Sequence, residues 1–259
     1  MNTLEQRLYL IDYLKKENPL FADMPTPEDT AEQRKFLRAL MNIRRPEKIS
    51  ADFLAVQDAY LQTINAEKGV TDIRDLAPIG EGIYLWQGDI TTLKCDAIVN
   101  AANNGLTGCY YPNHGCIDNQ IHTYAGVQLR LKCAEIMRAQ GLAEPTGQAK
   151  ITPGYNLPCQ YIIHTVGPIV GEALTLEDER LLASCYLSCL KLADEYHLAN
   201  IAFCCISTGE FHFPSERAAE IALETVQKYC AETKSSIEVI FNVFKDQDYS
   251  IYHRLLNAD

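Results

Sequence analysis

A chain of 259 residues, 47% hydrophobic and 22% charged, has the size of one large domain with an extension and the composition of a soluble globular protein. Its formal net charge of −11 excludes the broad basic face needed to bind along a nucleic acid. The first residues, interrupted by Glu5 and Arg7, carry no export pattern, and the most apolar run, IAFCCI at 201–206, is too short to span a bilayer, so no membrane partner is expected.

Residues 1–69 read as a helical extension without strands. LEQRLYLIDYLKKE places Leu4, Leu8, Ile11 and Leu14 on one face, and Asn18-Pro19 ends the segment. AEQRKFLRALMNIR, after Thr30, repeats the pattern with Phe36, Leu37, Leu40 and Ile43 and stops at Pro46. Ser50 is placed to cap a third helix with Phe53, Val56, Tyr60 and Ile64 inward and Gly69 as its stop. No titratable cluster marks this part. It reads as packing for the main domain, with a lid or partner surface as the alternative.

Residues 70–259 change character. IYLWQGDIT and DAIVNAAN read as strands running into polar turns. One helix is expected from Ile121 to Gln140, closed by Gly141. AKITPGY and CQYIIHTVG are strand-like. Thr175 to Asp178 resembles a capping box that opens a helix to about Tyr196. IAFCCI reads as a strand buried on both faces, a helix follows over 215–230, then the strand IEVIFNVF and a short last helix. Alternating strands and helices predict an α/β layered domain with a mixed, mostly parallel sheet. Ligands of such sheets bind beyond the carboxyl ends of the strands. Three polar loops belong there: Gly88-Asp89-Ile90, residues 100–118, and Ser207-Thr208-Gly209-Glu210-Phe211.

The middle loop carries the densest chemistry. Cys109, His114 and Cys116 offer two thiolates and an imidazole, a donor set that zinc prefers, with no local fourth ligand. Two buried thiols and a loop histidine are the plainer alternative. The chain has ten cysteines, and the other eight read as reduced thiols packed as small apolar groups, in keeping with a cytoplasmic location. Asp118 is placed to cap the following helix and, compatibly, to orient a water or sugar hydroxyl beside the metal. Asn103 is a turn residue whose amide could hold a ribose. His122 and His164 read as core groups or supports of the site. Gly209 is expected to curl the backbone, through a conformation that side chains disfavour, so that successive N–H groups face an anion. Phe211 or Phe213 is available to stack on a sugar or base.

GDIT, DAIVNAAN, a loop ending in DNQIH, and STGEFHFP, in that order, resemble the macrodomains, which bind ADP-ribose. The resemblance covers roughly residues 70–259 and implies a three-layer α/β/α fold. CYYPNHGC, in place of the usual glycine-rich loop, resembles the zinc-dependent macrodomains of bacteria and fungi, which remove mono-ADP-ribose from modified proteins, notably from acidic side chains. The resemblance implies that Asp89 bonds the adenine amino group with Ile90 beside it. It implies that Asn103 binds the distal ribose and that Cys109, His114 and Cys116 hold one zinc per chain. Asp118 falls at the active-site aspartate, Ser207 to Phe211 would wrap the diphosphate, and Phe211 would lie beside the distal ribose. Glu210 stands where relatives often carry an apolar residue. A mono-ADP-ribosylated protein is the expected substrate. A non-catalytic ADP-ribose reader with structural zinc, and an esterase for free derivatives such as O-acetyl-ADP-ribose, are the alternatives.

Overall fold

Three capped segments open the chain, and the computed structural model describes them within residues 1–257. Asn2 and Glu5 form a reciprocal capping box at the start of α1 (Thr3–Glu17), and Lys15 and Lys16 complement its last turn. Asp29 accepts from the Ala31 and Glu32 amides to start α2 (Thr30–Ile43). Ser50 accepts from Phe53 N, as expected, to start α3 (Ala51–Glu67). The buried stripe of α1 is rotated from the expected one: Arg7, Leu10, Ile11 and Leu14 face inward, while Leu4 is 47% exposed. Packing against α2 explains this, because Arg7 Nε donates to Gln33 Oε1 at 2.9 Å inside the contact.

These helices build a hydrophobic cluster of their own, separate from the core around the sheet, with Phe53 fully buried in it. Phe53→Ala is expected to cost roughly 3–5 kcal/mol of stability, lost transfer energy plus a cavity, read as a lower denaturant midpoint. An unchanged midpoint would mean the cluster contributes little.

Past the extension come β1 (Thr71–Asp72), β2 (Ile83–Gln87), β3 (Leu93–Lys94), β4 (Ala97–Ala101), β5 (Ala149–Pro153), β6 (Tyr161–Thr165), β7 (Asn200–Phe203) and β8 (Glu238–Val243). The helices between and after them are α4 (Ile117–Ala125), α5 (Val127–Gln140), α6 (Leu176–Glu195), α7 (Ser215–Thr233) and α8 (Asp246–Leu256). β1 and β3 pair by themselves, and the other six strands form one sheet in the order β2-β8-β7-β4-β6-β5. All its pairings are parallel except β5 with β6. The α6, α7 and α8 row and the α4–α5 pair cover the sheet, giving the expected α/β/α layering. No described helix is long and apolar enough to cross a membrane.

The expected single helix over 121–140 is two helices. Gly126 breaks it at φ +100°, where a Cβ would lie 2.6 Å from the Gln57 and Gln128 side chains. Gln57 Oε1 of α3 accepts from Val127 N in the break, so the extension inserts into the main domain at this point. IAFCCI leaves the sheet after Phe203, although its residues 201–203 are buried on both faces as expected.

Candidate active site

β2, β7 and β4 run parallel, so the loops that follow them emerge at one end of the sheet. That topology brings residues 88–90, 204–211 and 102–118 to one rim, as the sequence motifs require.

Asp118 sits in the first turn of α4, but it caps nothing: the cap position is Cys116, which makes no side-chain cap bond. The Asp118 carboxylate is 5% exposed and accepts from two amides, Asn100 Nδ2 at 2.8 Å and Asn103 Nδ2 at 3.2 Å. Burial pushes its pKa up to about 6, against the opposing pull of Asn100, Arg130 and Asn103. Asn103 is itself fixed, donating to Gly108 O at 3.1 Å and accepting from Gly105 N at 2.9 Å. Behind Asp118 lie His122 and His164, both buried, as supports of the site rather than on its surface. His122 Nε2 is 3.6 Å from Asp118 Oδ1. Asn100 Nδ2 also faces His164 Nδ1 at 3.1 Å, while Thr152 Oγ1 faces His164 Nε2 at 2.9 Å. Burial lowers both imidazoles, His164 to about 3, so both are neutral. Cys133 completes a buried group with them, but Asn100 and Thr152 already occupy the two His164 nitrogens.

The ligating atoms of Cys109, His114 and Cys116 all lie within 4.8 Å of one another. Cys109 Sγ is 3.7 Å from His114 Nδ1. Zinc bonds of about 2.3 Å to sulfur and about 2.0 Å to nitrogen, at a tetrahedral angle, need a separation close to 3.6 Å. Burial drives the Cys116 thiol up to about 12, with Cys109 and Asp118 adding to the rise and the Asn119 backbone amide opposing it. A divalent soft-to-borderline cation fits this donor set. Among the described residues no fourth His, Cys, Asp or Glu joins the group.

At the β2 end, Asp89 caps a short 3-10 turn over Ile90–Thr92, accepting from Thr91 N at 2.9 Å and Thr91 Oγ1 at 2.6 Å. Its other oxygen meets Lys68 Nζ of the extension at 2.6 Å, and that ammonium also lies 3.6 Å above the Tyr124 ring. Burial alone would raise the Asp89 pKa, but Lys68 and Thr91 outweigh it and hold the carboxyl below its ordinary value. Ile90 beside it is buried.

The loop after β7 corrects one expectation and narrows another. Gly209 has no positive φ, and a Cβ there would meet nothing within 4 Å; Ser207, at φ +64°, makes the left-handed turn instead. Phe213 is buried at 2% exposure, which leaves Phe211 as the loop aromatic with an accessible face. Phe213 N returns to Ser207 O at 3.0 Å and closes the loop. The N–H groups of Ser207, Gly209, Glu210 and Phe211 donate to no protein group among the described residues, as an anion cradle requires. Thr208 is held by its hydroxyl on Cys205 O at 3.0 Å. Glu210 reaches across to the middle loop, with Oε1 3.7 Å from His114 Nε2.

Several groups at this rim left no mark in the motif reading. Asn100 had one signal, a polar residue inside an apolar strand run. Gly167 sits where a Cβ would come 2.0 Å from Ser207 Oγ, so the close approach of two loops demands glycine. Phe244, 74% exposed, follows β8 beside the Asp89 loop, where Gly88 N donates to Val243 O at 3.0 Å. Arg38, Asn42 and Lys68 come from the extension and have no local signature at all.

The Macro domain family model matches residues 99–222. A Treponema medium protein named protein-ADP-ribose hydrolase is 53% identical over 99% of this chain and 100% of its own length. An Oceanobacillus iheyensis macrodomain solved with ADP superposes with a TM-score of 0.62 at 38% identity, covering 70% of this chain and 93% of that one. A Trypanosoma brucei macrodomain solved in complex with ADP-ribose gives a TM-score of 0.66 at 30% identity over 85% of this chain and 95% of its own.

Proposed function

The chain belongs to the macrodomain family, and from that premise we propose that it is a zinc-dependent hydrolase that removes mono-ADP-ribose from aspartate or glutamate side chains of modified proteins. The observation that carries the reading is Asp118, buried, held by two asparagine amides, and two residues from a set of metal donors. Near-full-length similarity to a protein named protein-ADP-ribose hydrolase supports hydrolysis over mere binding.

ADP-ribose lies along the rim from the β2 loop to the β4 loop. Asp89, ionised and kept in place by Lys68 and Thr91, accepts from the adenine amino group beside Ile90, and Phe244 offers its exposed ring to the base. The free N–H groups of 207–211 receive the diphosphate, which needs no basic patch. Phe211 borders the distal ribose. Asn103 keeps acceptor capacity on Oδ1 for a ribose hydroxyl.

Cys109, His114 and Cys116 hold the zinc, which when bound supplies Lewis-acid polarisation of a substrate oxygen. Asp118 orients the attacking water and takes its proton. The bond from the anomeric carbon to the side-chain carboxylate breaks, and the carboxylate leaves with the bonding pair. Glu210 lies at the solvent side of the His114 ring, 3.7 Å from Nε2.

Incubation with proteins mono-ADP-ribosylated on defined residue types, with and without a chelator, tests the proposal. Release from acidic side chains that stops with the chelator is the expected result. Release at full rate from metal-free protein would make the zinc structural, and binding without release from any linkage would make the protein a reader. At the adenine end, Asp89→Ala is expected to weaken ADP-ribose binding by roughly 1.5–3 kcal/mol, the range of a hydrogen bond to a charged group. Lys68→Met should weaken it less, because it frees the carboxylate without removing it. Calorimetry showing two unchanged affinities counts against this adenine site.

A further inference from the structure

The extension contributes to the loop that carries the three metal donors. Arg38 of α2 is half-buried and makes no ion pair among the described residues. Its Nη2 donates to His114 O at 2.6 Å and to Asn119 Oδ1 at 2.7 Å, and its Nε reaches the same Asn119 oxygen at 3.2 Å. Asn119, fully buried and next to Asp118, turns its own amide onto Tyr111 O at 3.0 Å and Cys109 O at 3.4 Å. One guanidinium therefore ties the backbone at His114, and through Asn119 the backbone at Cys109, to the first turn of α4.

Two further tethers run between the same elements. Asn42 Oδ1 of α2 accepts from Asn113 N at 2.9 Å. Arg130 of α5 donates to the carbonyls of Asn42 and Arg44, each at 2.6 Å, and to Cys109 O at 3.3 Å. The end of α2 and the donor loop are thus one hydrogen-bonded unit. Between these tethers the loop is open to solvent: Tyr111, Pro112, Asn113 and Gly115 are exposed and Asn113 has φ +56°. Flexible backbone between ligands weakens a metal site, because binding must then also order it. A planar fork that spans two acceptors supplies that order, and a lysine point charge does so less well.

We infer that Arg38 is a positioning residue of the metal centre, setting the spacing of Cys109 and His114 and linking it to Asp118, so that the N-terminal helices are part of the catalytic unit. The inference rests on the zinc site proposed above.

The test measures zinc retained per chain against a chelator series, with thermal melts alongside, for the full chain and four variants. Arg38→Gln should release zinc at a chelator concentration about 10–100-fold lower than the wild type, the usual effect of removing an outer partner of a metal site. Arg38→Lys should fall between. Arg34→Gln, one turn earlier and paired with Glu67 on the surface, should retain zinc as the wild type does. Leu14→Ala should lower the melting temperature of the helical cluster without changing zinc affinity below the melt. Zinc affinity unchanged in Arg38→Gln overturns the role of Arg38 alone. A loss in Leu14→Ala equal to that in Arg38→Gln overturns it too, because the extension would then act through folding. A wild type that binds no zinc overturns the metal centre itself and this role with it.

Discussion

Cys116→Ala is expected to lose the zinc and with it nearly all hydrolysis. Two donors remain, Cys109 and His114, and a site cut from three ligands to two should weaken by more than the roughly 100-fold that an outer partner is worth. The fold should tolerate the change. Cys116 stands at the cap position of α4 without a side-chain cap bond, and alanine there removes only a half-buried thiol. Metal content, far-ultraviolet circular dichroism and release of ADP-ribose from aspartyl-linked protein, taken together, decide the outcome. A metal-free, folded Cys116→Ala protein with wild-type turnover would rule out the zinc as part of the reaction.

Asp118→Ala should give the complementary result: zinc retained, ADP-ribose bound, turnover slowed by about 10²–10⁴-fold, the contribution of a positioned general base. The amides of Asn100 and Asn103 both point at the lost carboxylate. Each loses one acceptor at a cost of up to about 1–3 kcal/mol, while Asn100 keeps His164, Asn103 keeps Gly108 O, and removing a buried charge returns part of the cost. A modest change in melting temperature is therefore expected beside a large change in rate. Loss of zinc in this variant would place Asp118 among the ligands instead, and unchanged turnover would remove it from the chemistry.

Much of this was readable without coordinates because it is local. Helix caps at Ser50 and Thr175, the buried run of β7, the turn after DAIVNAAN and the Cys109-His114-Cys116 spacing each depend on residues a few positions apart. Strand-and-helix alternation predicts the parallel sheet, and the parallel sheet brings three distant loops to one rim. Local pattern also misled. Gly209 stands out as the flexible residue of its loop, yet the left-handed turn falls on Ser207, which Gly167 of the loop after β6 approaches closely. The helix over 121–140 looked continuous because its apolar spacing continues through Gly126, and only the Gln57 side chain arriving from α3 shows why it breaks.

By itself the sequence determined which groups could do the chemistry, since donor type and carboxylate identity are properties of single residues. Tertiary structure decided how they are held. Arg38 meets His114 and Asn119 across gaps of 76 and 81 residues, and Lys68 meets Asp89 across 21. Asn100, the first asparagine of DAIVNAAN, becomes a donor to Asp118 only when α4 folds over β4. A hydrogen bond between distant residues depends on how whole elements pack, and packing is set by the summed burial of many side chains rather than by any short motif. That is why the extension, which carries no motif, could be seen to clamp the active-site loop only in the folded protein.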